Sequence, residues 1–181
     1  MNIVLIGYRC SGKTRVGRLL AGDLKRTFLD TDRLMEEKAG IPIHSYVSRY
    51  GWMDFRRVER EVTEEIASKD NSVIATGGGV VMDPENVMNL RRNGWVVWLA
   101  AGATVIRERM TQAQQEGRLR PPLSGSDPLE EIDSILRERT PVYERASDYR
   151  VWTDGWTPET IKQAIVMALP HVHTGGTGRT D

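Results

Sequence analysis

The chain has 181 residues, long enough for one domain with a full core. Its 25 basic and 25 acidic side chains cancel, which excludes a nucleic-acid binder working through a strong positive field but leaves room for a local basic cleft. A single cysteine excludes an intramolecular disulfide framework and fits a reducing compartment. Met1 runs almost directly into an apolar strand, and no apolar run reaches membrane-spanning length. These features lead us to expect a soluble, cytoplasmic protein, with no signal peptide and with neither a membrane nor nucleic acid as partner.

In chain order, Asn2-Ile3-Val4-Leu5-Ile6 reads as a buried strand, and Val16, Leu19, Leu20 and Leu24 form one face of a helix. Thr27-Phe28-Leu29 is a short second strand ending at Asp30-Thr31-Asp32, followed by a polar helix from Arg33 to Ala39 that stops at Gly40. Ile43 to Tyr50 is a short element of open type. Phe55, Val58, Val62 and Ile66 mark a helix from Trp52 to Ser68, and Ser72 to Thr76 is a strand closing on Gly77-Gly78-Gly79. Asp83-Pro84-Glu85 opens another helix with Asp as cap and Pro at its first position. Trp95 to Leu99 is the next strand, followed by a helix through Val105 and Met110. Residues 112–127 are polar, with Gly117, Pro121, Pro122 and Gly125, and read as a long mobile loop. Leu129 to about Arg145 is helical, Tyr149 to Trp152 a strand, and Thr157-Pro158-Glu159 caps a helix to Leu169. Residues 171–181 read as a disordered tail, leaving one domain over 1–170. Five strands alternating with helices predict an α/β sandwich with a mainly parallel sheet.

Between the first strand and helix lies Gly7-Tyr8-Arg9-Cys10-Ser11-Gly12-Lys13-Thr14, a G-x-x-x-x-G-K-T loop. The pattern alone arises by chance on the order of 1% of the time in a chain this long, and the strand–loop–helix setting lowers that further. Gly7 and Gly12 let backbone N–H groups close around phosphate oxygens, and the helix N-terminus adds donors and partial positive charge. Lys13 is placed to reach the β- and γ-phosphates and the Thr14 hydroxyl to bind Mg²⁺. Cys10, inside the loop, is either a tolerated small side chain or an oxidation-sensitive one.

Other residues sit oddly for a packing role alone. Asp30 and Asp32 lie at a strand end, where open α/β sheets bind ligands; one suits Mg²⁺ through water and the other a proton from an attacking hydroxyl, while N-capping is the plain alternative for Asp32. Arg139 continues the apolar stripe Leu129–Ile132–Leu136, with Tyr143 after it, and a guanidinium there requires an anion, either a structural carboxylate or a ligand's. Arg56 and Glu59, at i and i+3, match an ordinary surface pair. The triple glycine permits close approach to a ligand or makes a tight turn. Arg118 and Arg120 either fold over phosphate or keep their loop solvated. The three histidines lack metal-site spacing, and the five tryptophans are expected in core and strand packing.

Together these motifs resemble the shikimate kinase family from Met1 to about Leu169. The matching pieces are the phosphate loop, Phe28-Leu29-Asp30-Thr31-Asp32, Gly51 with Phe55-Arg56-Arg57-Val58-Glu59, Gly77-Gly78-Gly79, Arg120-Pro121-Pro122-Leu123 and Arg139-Thr140-Pro141-Val142-Tyr143. The resemblance implies a three-layer nucleoside-monophosphate-kinase-like fold with a five-stranded parallel sheet and a lid. It implies ATP and shikimate as substrates, with Mg²⁺, and transfer of phosphate to the 3-hydroxyl of shikimate; a monomer is expected. ATP would be held by Gly7, Cys10, Ser11, Gly12, Lys13 and Thr14, with Arg109 over adenine and Arg120 on the phosphates. Asp32 would bind the reacting hydroxyls, with Lys13, Asp32 and Arg120 as the catalytic set, and Thr14 and Asp30 would serve the metal. Arg56 and Arg139 would clamp the shikimate carboxylate, with Gly78 and Gly79 against the ring. The chain departs from the family pattern in having Gly51-Trp52 where Gly-Glu is usual, and Tyr46-Val47 where Ile-Phe is frequent; both bear on pocket shape. A gluconate-type kinase would share the loop without the clamp, and a nucleotide-binding regulatory module would share the loop without turnover. The set Lys13, Asp30, Asp32, Arg120 and Arg139 argues against the regulatory module.

Overall fold

Successive side chains of the first strand, β1 (Asn2–Ile6), are buried on opposite faces, and that alternation organises the molecule. Ile3 and Leu5 enter one core, with Val16, Leu20, Val97, Ile161 and Ile165, while Val4 and Ile6 enter another, with Ile66, Ile74, Trp98, Ile106 and Tyr143. The computed structural model describes residues 1–116 and 127–170. Among them the remaining strands are β2 (Thr27–Asp30), β3 (Ser72–Ala75), β4 (Gly94–Ala100) and β5 (Tyr149–Trp152). They form one sheet in the order β2-β3-β1-β4-β5, with every neighbouring pair parallel. The chain leaves β1 for the β2 edge, returns through β3 and then crosses to β4. The carboxyl end of β1 therefore lies where the order reverses, the place such sheets hold ligands.

The helices are α1 (Lys13–Leu24), α2 (Thr31–Ala39), α3 (Ile43–Ala67), α4 (Pro84–Arg92), α5 (Ala103–Gln115), α6 (Ile132–Ala146) and α7 (Pro158–Ala168). The caps read from the sequence are present at α4 and α7: Asp83 accepts from Glu85 N at 2.9 Å and Thr157 Oγ1 from Thr160 N at 3.2 Å. At α2 the cap is Asp30, which accepts from Asp32 N and Arg33 N, so the capping alternative weighed for Asp32 belongs to its neighbour. The helix starts at Thr31 for the same reason, two residues earlier than the sequence suggested.

The open segment Ile43–Tyr50 is helical and runs into the Trp52 helix, with a break at Gly51 (φ 80°, ψ 169°). Only glycine adopts that conformation without strain. Tyr46 donates a hydrogen bond to Asp54 across the break. This bent α3 and α2 carry a small core of their own, Met35, Phe55, Val58 and Val62, on which Tyr46, Val47 and Trp52 pack.

At the expected lid, Ala103–Gln115 is helical, so Gln112 to Gln115 belong to α5 rather than to a loop. Asp127 to Glu131 form turns and α6 starts at Ile132, three residues later than expected. Residues 117–126, with Arg118 and Arg120, and the expected tail 171–181 lie outside the described residues. Among the described residues no helix is long and apolar enough to cross a membrane.

Candidate functional site

The loop after β1 takes its shape from three positive-φ residues, Gly7 (138°), Cys10 (60°) and Gly12 (101°). A side chain at Gly7 would also place its Cβ 2.5 Å from the Leu99 carbonyl oxygen, so the loop sits hard against the end of β4. Cys10 carries a left-handed backbone that a residue with a Cβ rarely adopts. Gly12 caps α1 with no side-chain bond, so the helix entrance is set by backbone alone. Lys13, 8% exposed, folds back over the loop, its ammonium donating to the carbonyls of Gly7 (2.8 Å) and Tyr8 (2.7 Å). Thr14 donates to Asp30 Oδ2 at 2.8 Å, while the other Asp30 oxygen caps α2.

Cys10, Gly12, Lys13, Thr14 and Asp30 line a cavity of about 640 Å³ together with Arg9, Asp32, Thr76, Gly78, Arg109, Gln112, Glu116, Trp156, Pro158 and Ile161. Asp30 and Asp32 reach it from different backbone conformations: Asp30 is extended and Asp32 is in the first turn of α2. The two carboxylates therefore do not project from one extended strand, although both line the cavity. Arg109 is fixed from both ends of its guanidinium, to Thr153 Oγ1 and Thr153 O at 3.0 Å each, and touches the Cys10 carbonyl at 3.4 Å. That ties α5 and the turn after β5 to the phosphate loop. Trp156 was expected in core or strand packing; it is 47% exposed on the cavity wall, and Trp152 is half-exposed as well.

The triple glycine is a close-approach site rather than merely a turn. A Cβ at Gly77 would stand 2.6 Å from Asp32 Oδ1 and 3.4 Å from Glu59 Oε1. One at Gly79 would stand 2.5 Å from an Arg56 guanidinium nitrogen, and one at Gly78 would crowd Arg9 N at 3.2 Å. The missing side chains make room for three elements at once. Thr31, fully buried between the two aspartates, accepts from Gly77 N at 2.7 Å and locks the strand ends of β2 and β3 together.

Arg56 pairs with Glu59, and Glu59 is only 2% exposed, so the ordinary surface pair weighed for them is excluded. Burial pushes the Glu59 carboxyl up from its usual range, and the Arg56 guanidinium opposes that rise. Arg139 is buried as its place on the helical stripe required, with Ile132, Ile135 and Tyr143 beside it. It donates to the Gly78 carbonyl at 3.3 Å, and Tyr143 donates to the same oxygen at 2.6 Å. Its Nε is buried without a hydrogen-bond partner, and among the described residues no carboxylate comes within ion-pair distance of it. The buried Glu59 carboxyl feels the field of Arg139 without pairing with it.

Sequence reasoning gave no role to Arg9 or Glu131, and named Thr31 and Tyr143 only as members of their motifs. Arg9 and Glu131 are 8% and 3% exposed and face each other at 3.8 Å between the phosphate loop and the start of α6. Nothing local marks them, because they meet only after folding. Among the described residues no cluster of three or more acidic, histidine or cysteine side chains could cage a metal ion. The oxygen pair of Thr14 and Asp30 instead suits a hard cation that takes its other ligands from phosphate and water.

A sequence model described as shikimate kinase matches residues 9–170. The shikimate kinase of Symbiobacterium thermophilum is 47% identical over 170 residues, 93% of this chain and 96% of that protein. The shikimate kinase of Moorella thermoacetica is 42% identical over 93% of this chain and 94% of its own length. Among solved structures, shikimate kinase from Acinetobacter baumannii in complex with shikimate superposes with a TM-score of 0.85 at 32% identity, covering 92% of this chain and 91% of that one.

Proposed function

Because the chain belongs to the shikimate kinase family, we propose that it transfers the γ-phosphoryl group of ATP to the 3-hydroxyl of shikimate, releasing ADP. The observation that carries this reading is Arg139: a buried guanidinium with an unpartnered Nε, tied to the Gly78 carbonyl at the cavity wall. An unpaired buried charge is costly, and a carboxylate on the acceptor supplies its partner. Arg56, set against Gly79, supplies the second arm of the same clamp.

Phosphoryl transfer needs positioning and charge neutralisation more than covalent chemistry. The loop amides of Gly7 to Thr14 hold the triphosphate, and the Lys13 ammonium exchanges the Gly7 and Tyr8 carbonyls for phosphate oxygens. Asp32, wedged against Gly77, holds the acceptor hydroxyl and takes its proton as the oxygen attacks. Arg109, braced by Thr153, is the flat partner for the base at the far end of the cavity. Thr14 and Asp30 are the residues that would hold Mg²⁺, which when bound would supply positive charge to offset that of the phosphates. Arg120, outside the described residues, is assigned to the phosphates from the lid, and residues 1–170 to a single kinase domain acting as a monomer.

The test is ADP release with candidate acceptors. Shikimate-dependent turnover well above the rate with gluconate is expected. Equal rates with both acceptors, or none with shikimate, would overturn the reading.

A further inference from the structure

Arg56 lies in an aromatic seat. The break at Gly51 restarts α3 at Trp52, which puts Trp52, Phe55 and Arg56 on one side of the helix at i, i+3 and i+4. The guanidinium carbon stands 5.3 Å from the Trp52 ring centroid and 5.2 Å from that of Phe55. The two rings meet edge to face, 5.3 Å apart at 84°, so neither is free to turn away without disturbing the other. Phe55 is 4% exposed and anchored in the small core of α2 and α3, with Trp52 packed against that core. Glu59 holds the guanidinium by an ion pair, and the Gly79 backbone passes where any Cβ would meet it at 2.5 Å.

We infer that Trp52 is a positioning residue for acceptor binding: its indole, with the Phe55 ring, holds the Arg56 guanidinium ready for the acceptor's carboxylate. The inference rests on the proposed reaction for what the clamp binds, but the seat itself is a property of this chain. A one-sided ion pair with Glu59 would leave Arg56 free to swing about that carboxylate. Two ring faces remove the swing, and the entropy of ordering a long side chain is then spent on folding rather than on binding. Cation–π attraction is strongest with Trp, so the residue type at position 52 matters as well as its bulk.

Two measurements test this. In the Trp52→Met variant, which keeps an apolar side chain but loses the π face, KM for shikimate should rise about tenfold, while kcat and KM for ATP stay within about twofold. Trp52→Phe should recover most of the loss. The second readout needs no substrate: the Arg56 Nε–Hε signal, assigned by its disappearance in Arg56→Lys, should be shifted by the ring in wild type and return toward the free-arginine position in Trp52→Met. If the Met variant does not fold, an intermediate shift in Trp52→Phe is the expected result. An unshifted wild-type signal, or a Met variant with unchanged KM for shikimate, would overturn the inference. Wild-type protein with the shifted signal but no shikimate-dependent ADP release would contradict the reaction and leave the seat standing.

Discussion

Asp32 shows how far a single residue could be read before the fold was known. Its place at a strand end beside a phosphate loop was legible, because the strand and the loop are both local patterns. What was not legible was the division of labour with Asp30, which depends on where α2 begins. Asp30 uses one oxygen to cap that helix and the other to accept from Thr14, so it is held rigidly beside the loop. Asp32 stands instead against Gly77, where we propose the acceptor hydroxyl sits. We expect Asp32→Asn to lower kcat by at least ~100-fold, the usual scale of general-base assistance. ATP binding should survive, which a nucleotide-binding titration checks; an Asn variant with near-normal turnover would remove Asp32 from the role of base.

Among the elements, the glycine turn after β3 separates two effects within one motif. Neither Gly77 nor Gly79 has a positive φ, so alanine at either costs little in backbone strain. The added methyl would instead press on Asp32 at position 77 and on Arg56 at position 79. Both are ends of flexible side chains, which move aside rather than unfold the protein. Gly77→Ala should therefore reduce kcat mainly, and Gly79→Ala should raise KM for shikimate mainly, each by about tenfold, the effect expected when a site group is displaced by ~1 Å or less. Equal losses in both variants would show that the turn acts only as a unit. The sequence marked this turn because three consecutive glycines are conspicuous. It could not mark Arg9 and Glu131, whose separation in the chain leaves no local signature, and it placed the break at Gly51 without showing that the segment before it is helical too.

Over the whole molecule, the parallel sheet brings residues far apart in sequence to one rim, and α6 closes that rim from the other side. Tyr143 is the link: fully buried, it donates to Gly78 at 2.6 Å, stacks on Trp98 of β4 and lies one helical turn from Arg139. Burial pushes its phenol up to about 12, against an ordinary value near 10. The folded state thus keeps a proton that the unfolded state loses between those values. The resulting contribution is fully present below pH 10 and is lost as pH rises toward 12, on the order of 2–3 kcal/mol. Tyr143→Phe should flatten that alkaline fall while costing about 1 kcal/mol at neutral pH for the missing hydrogen bond. Denaturant melts at pH 7, 10 and 11.5 check both, and parallel curves for the two proteins would contradict the assignment.

The proposed reaction turns on Arg139 meeting the carboxylate of the acceptor. Arg139→Lys loses the paired N–H geometry a guanidinium offers and should weaken shikimate by roughly 1.5–3 kcal/mol, about 10- to 100-fold in apparent affinity. ATP affinity should change far less. The direct test is a cycle of that variant against shikimate with its carboxylate replaced by a neutral carboxamide. If the two changes remove one contact, the carboxamide hurts wild type far more than the lysine variant. If the two losses simply add, Arg139 does not hold the acceptor carboxylate, which contradicts the proposed clamp.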